Sequence, residues 1–191
     1  MKILVTLHKN NKKYLLAITF MGLFYNYCMA QSPKPEYGPV FNQIGATFNI
    51  EDVDFAPNSE TVLKAIFDID YKPKDPLASN SLISSLHRYL NMHVRNGVKK
   101  SNISLAFVLH GDSTKDALNN EAYKKRYGSN NPNTQLIKTL SEHGVDMYIC
   151  GQSAAYSGIS KSEIMPEIKL ALSSMTVLTI YQSEGYSLIK F

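Results

Sequence analysis

Two side chains that follow apolar runs have the chemistry for a reaction: the thiol of Cys150 and the imidazole of His110. Cys150 follows Val145-Asp146-Met147-Tyr148-Ile149, and His110 follows Ile103-Ser104-Leu105-Ala106-Phe107-Val108-Leu109; both runs have the composition of buried strands. A cysteine attacks as the thiolate, and free amide N–H groups or a nearby positive charge favour that form. Residues from Gln152 read as a helix start, whose free amide N–H groups and positive dipole end would stabilise a thiolate on Cys150. The pair His110-Gly111 ends the other strand, where the imidazole would share a cleft with the thiol. The competing reading makes Cys150 a small buried hydrophobe and His110 a residue that satisfies a loop.

The chain has 191 residues and a second cysteine, Cys28, within a segment that reads as an export signal. Lys2, Lys9, Lys12 and Lys13 form a positive start, residues 14–24 form an apolar core too short to span a bilayer, and Cys28-Met29-Ala30 supplies small residues for cleavage. The expected mature chain starts near Gln31, lies in the periplasm or outside the cell, has no stable membrane anchor, and keeps Cys150 as its one thiol. Residues 1–30 hold four of the 20 basic residues and none of the 16 acidic ones, so the remainder carries equal numbers of each. With no basic stripe left, nucleic-acid binding has no electrostatic support, and Lys124-Lys125-Arg126 reads as a solvated helix face.

The remainder suits one α/β domain over residues 61–191, preceded by a proline-interrupted arm over 31–60 that packs on the domain or on a neighbouring subunit. Strands are expected at 62–69, 103–109, 145–149, 168–172 and 186–191. Helices are expected at 79–96, from Asn131-Pro132 (Asn as N-cap, Pro in the first turn) to Gly144, and at 175–184; Ser160-Lys161-Ser162-Glu163 has the form of a capping box. The unbroken β/α order implies a three-layer sandwich, a mainly parallel five-stranded sheet with right-handed crossovers and helices on both faces. In such sheets reactive groups collect at the carboxyl ends of the strands.

The segment from Val145 through Cys150-Gly151-Gln152-Ser153 to Gly158-Ile159 resembles the cysteine segment of the DsrE/DsrF-like family. Phe107-Val108-Leu109-His110-Gly111, the helix after Asn131-Pro132 and the Gly185-Tyr186 strand match that family in order, and the similarity spans roughly residues 61–191. The resemblance implies a compact α/β sandwich assembled as a trimer or hexamer, with the strand-end cysteine carrying sulfur as a persulfide in members that relay sulfur; carried onto this chain it makes Cys150 the carrier, has His110 polarise or deprotonate it, and puts Gly111, Gly151, Gln152 and Ser153 at the binding site, with Gln152 and Ser153 as amide and hydroxyl donors to the anion. Those members work in the cytoplasm with dedicated partners, whereas this chain reads as exported. Two functions therefore follow: a thiol-based sulfur carrier or transferase, or a non-catalytic oligomeric binding module with the same fold. The sequence identifies neither a sulfur donor nor an acceptor.

Other chemistries lack their parts. There is no phosphate-binding Gly-rich loop ending in Lys-Ser/Thr, no dinucleotide fingerprint, no paired-cysteine motif and no zinc-protease helix motif. His87 and His93 share a helix at a spacing that puts them on different faces, and Met92 belongs to packing. No cofactor and no metal is expected.

Overall fold

The computed structural model describes residues 33–191, so the export-signal reading and Cys28 lie outside the described residues. Five parallel strands, β1 (Leu63–Ile69), β2 (Ile103–Leu109), β3 (Asp146–Cys150), β4 (Lys169–Ala171) and β5 (Ser187–Ile189), stand in the order β4-β3-β2-β1-β5. Helices α1 (Ser81–Arg95), α2 (Asn120–Tyr127), α3 (Thr134–Glu142), α4 (Gly151–Tyr156) and α5 (Ser174–Ser183) alternate with them. Among the described residues no helix is long and apolar enough to cross a membrane.

The connections dictate which face each helix covers. From β1 to β4 the chain steps across the sheet in one direction, and right-handed crossovers put α1 to α4 on one face. The return from β4 to β5 runs the opposite way, so α5 must cross the other face. Side-chain alternation agrees: Phe67, Phe107, Met147 and Ile149 join the large core under α1 to α4, while Ile66, Ala106 and Val108 join Val177 and Tyr181 of α5 in a smaller one. The three-layer sandwich is thus present, with one helix alone on its second face.

The expected helix at 175–184 is α5, and its first turn is capped by the Ser173 hydroxyl, which accepts from the Thr176 N–H. The helix expected from Asn131 starts later. Asn131 turns its amide to the carbonyls of Asp116 and Leu118 and accepts the Asn133 N–H, so Asn133 takes the cap position. The capping box at Ser160 and Glu163 forms, but around a short 3₁₀ turn, Lys161–Glu163. A buried polar cluster ties these loops together: the Asp116 carboxylate accepts from Asn80 (2.7 Å), Asn133 (3.0 Å) and Lys115 (2.5 Å). Burial pushes the Asp116 carboxyl up, and those three donors pull it back.

The arm lies on its own domain. Phe41 is 5 % exposed and sets its ring edge against His87 at 4.6 Å and beside His143 at 4.5 Å. Asn91 of α1 accepts the N–H groups of Val40 and Phe41 and donates to the carbonyls of Phe41, Ile44 and Gly45. Arg95 donates to the carbonyls of Glu36, Tyr37, Gly38 and Thr47. Polar side chains of one helix thereby satisfy backbone that has no sheet or helix of its own.

Candidate functional site

Between β3 and β4 the connections leave in opposite directions, β3 into α4 on one face and β4 into α5 on the other. A crevice at such a divergence, outside the carboxyl ends of the strands, is where open α/β sheets bind ligands. Cys150 closes β3 at this point. It shares the parity of Tyr148 and therefore points to the α5 face.

The thiol is 4 % exposed. Burial pushes it up, but the hydroxyl and N–H groups of Ser153 and Ser174 favour the thiolate and outweigh burial, and the net result holds Cys150 below its ordinary value. These donors belong to the first turns of α4 and α5, where backbone amides lack helical partners. The Gly111 N–H donates to Ser153 Oγ at 3.1 Å. That contact fills an acceptor site of the hydroxyl and leaves its hydrogen free for the sulfur.

Gly151 makes the geometry possible. A Cβ there would lie 2.5 Å from the Ala171 carbonyl oxygen, so only glycine lets the start of α4 approach the end of β4 this closely. Gln152 is exposed and donates to the Leu172 carbonyl at 3.3 Å, tying α4 to the end of β4 instead of facing the thiol. Leu172, directly after β4, and Met175, in the first turn of α5, are exposed apolar side chains at this end of the sheet, and Tyr156 at the end of α4 is exposed as well.

His110 takes a different place from the one its sequence position suggests. The β2–β3 register continues to set it across from Cys150, but its Nε2 lies 2.6 Å from Asp68 Oδ1 on β1. Asp68 also accepts from Lys190 at 2.8 Å, and Lys190 reaches Asp70 at 3.1 Å. The charged carboxylate is the stronger partner, so the imidazole turns toward β1, and among the described residues no hydrogen bond joins it to Cys150. The structure therefore brings Cys150, Gly151, Ser153 and Gly111 together and assigns His110 to the Asp68 network. Ser174 was missed by sequence reasoning. Its signal was present, two serines opening a helix directly after a strand, the pattern of an N-cap and first turn. Among the described residues no group of three or more His, Cys, Asp or Glu side chains is placed to hold a metal ion.

A family model described as the DsrE/DsrF-like family matches residues 76–191, more than half of the chain. The protein of unknown function MTH1491 from Methanobacterium thermoautotrophicum is similar in structure, with 15 % identity, coverage of 68 % of this chain and 99 % of that one, and a TM-score of 0.51. The ychN protein from E. coli is 18 % identical, covers 68 % of this chain and 100 % of its own, and has a TM-score of 0.49. No curated protein matches the sequence.

Proposed function

The chain belongs to the DsrE/DsrF-like family, and from that premise we propose that Cys150 carries sulfur as a persulfide. The observation that supports this reading is a lone thiol closing β3 at the β3/β4 divergence, beside the helix starts that carry Ser153 and Ser174, whose donors favour its thiolate. The Cys150 thiolate attacks the outer sulfur of a donor persulfide, R–S–SH. A new S–S bond forms on Cys150, the donor's S–S bond breaks, and the donor leaves as a thiolate. An acceptor thiolate then takes the outer sulfur, and the Cys150 thiolate is restored. Each step exchanges one S–S bond for another, so no external oxidant or reductant enters. The amides and hydroxyls that hold the thiolate equally hold it as leaving group in the second step.

The positive, apolar N-terminal residues support placing this activity outside the cytoplasm, and exposed Tyr156, Leu172 and Met175 support a partner or a further copy docking over the crevice, as in a trimer or hexamer. One observation favours the second reading, an oligomeric binding module: Cys150 is 4 % exposed, so a donor must enter a narrow opening. Intact mass after incubation with a persulfide donor decides between them. The carrier gains one sulfur atom that Cys150→Ser abolishes; no gain on the folded native chain, with labelling only after denaturation, leaves the binding module.

A further inference from the structure

On the face covered by α1, two strands away from β3, the arm, α1 and the C-terminal strand enclose a cavity of ≈ 610 Å³. Its volume falls in the range of small-molecule sites, about 300–1,000 Å³. It is lined by Phe67 and Ile189 of the sheet, Tyr89 and Met92 of α1, and Phe48 of the arm. Several of these side chains are left uncovered by the protein itself: Phe48 is 49 % exposed, Met92 41 %, and Phe191 at the cavity's edge 77 %. The polar groups in the lining are few and mostly satisfied. Thr47 accepts from Arg95, and Ser85 donates to the Leu82 carbonyl. The exceptions are the guanidinium of Arg88, an exposed residue at the cavity mouth with no hydrogen bond or ion pair among the described residues, and the Tyr89 hydroxyl, which likewise has none.

Arg95, two turns further along α1, shows what an arginine on this helix does when its purpose is to hold the arm: its fork is filled by arm carbonyls. Arg88 carries the one charged side chain in a mostly apolar lining. The complement of such a site is an apolar body with a single anionic, planar end that a guanidinium can grip in bidentate fashion. Water fills an apolar cavity poorly, and a multiply charged ligand would leave its further charges without partners. We infer that this cavity binds a single-chain amphiphile, a hydrocarbon chain ending in one carboxylate, with the chain between the arm and α1 and the carboxylate on Arg88. The arm thereby gains a function as the outer wall of a binding site, independent of Cys150.

The test is fluorescence of dansyl-aminoundecanoate added to the protein purified as the cell makes it, with displacement by octanoate, decanoate, dodecanoate and the neutral 1-decanol. Displacement saturates, and affinity rises about threefold to fourfold per added methylene until the chain outgrows the cavity. Arg88→Gln weakens decanoate about tenfold and leaves 1-decanol unchanged, because only the charge-assisted contact is lost. Ala46→Trp, placed in the lining, abolishes binding of both, and Met92→Trp does the same if Ala46→Trp lowers the melting temperature. Absence of saturable displacement overturns the proposal, as does an Arg88→Gln protein that binds decanoate like the native one. So does an oligomer, seen by light scattering, that Ala46→Trp dissociates while native protein ignores the probe; the cavity would then be an interface between copies.

Discussion

Replacing Ser153 by alanine removes one hydroxyl donor from the Cys150 thiolate and leaves the backbone N–H of residue 153 in place. A hydrogen bond to a charged group is worth about 1.5 kcal/mol at the low end of its range, which lowers the thiolate fraction about tenfold at a pH below the thiol's titration. The more basic thiolate is also the better nucleophile, and a Brønsted slope of about 0.4–0.5 returns about a factor of three. The net expectation is alkylation of Ser153→Ala by iodoacetamide at neutral pH about threefold to fourfold slower than native. Ser174→Ala, which removes the equivalent hydroxyl from the start of α5, slows it by a similar factor, and the double variant by about tenfold. His110→Ala leaves the rate within twofold, because the imidazole is held by Asp68. The measurement is the initial rate of mass increase across a pH series, with folding monitored by circular dichroism. Native rates in both serine variants, or a large loss in His110→Ala alone, would refute the assignment of these donors.

Three further outcomes follow from the packing. Gly151→Ala drives a methyl group to 2.5 Å from the Ala171 carbonyl oxygen and destabilises the domain by about 1–3 kcal/mol, read as a lower urea midpoint with slower Cys150 alkylation. Burial holds the His87 imidazole down at about 4, helped by the charge of nearby His143, against a usual 6.5; stability is therefore full above about 6.5 and falls by about 3 kcal/mol as pH drops to about 4, because the unfolded chain takes up the proton first. His87→Leu flattens that slope in urea titrations at successive pH values, since Thr139, its partner at 2.8 Å, has its own hydroxyl proton placed on helix carbonyls. Asn91→Ala strips the arm of five hydrogen bonds and makes residues 35–50 the first site of limited proteolysis, with a loss of about 2–4 kcal/mol.

Much of the fold was legible because local signals agreed with global ones. Strand runs such as Ile103–Leu109 are apolar and β-branched, α1 repeats its apolar residues at helical spacing, and the alternating order of strands and helices admits a parallel sheet with right-handed crossovers. Cys150 was likewise legible as a strand-end thiol before a helix start, since both facts concern neighbours in the chain. What lay beyond the sequence were the partners each polar group takes at long range. Asn131 looks like an N-cap by its position before Pro132, yet the carbonyls of Asp116 and Leu118 claim its amide. His110 and Cys150 end adjacent strands, yet Asp68 and Lys190, 42 and 80 positions from His110, outbid the thiol for the imidazole. Ser174 meets Cys150 because the chain reverses direction across the sheet after β4 and sends α5 over the opposite face. A sequence thus determines periodicity, turns and the order of elements, which depend on neighbours a few residues apart. The tertiary structure alone decides which donors meet which acceptor, because that depends on strand order and on competition among groups that the chain brings together only on folding.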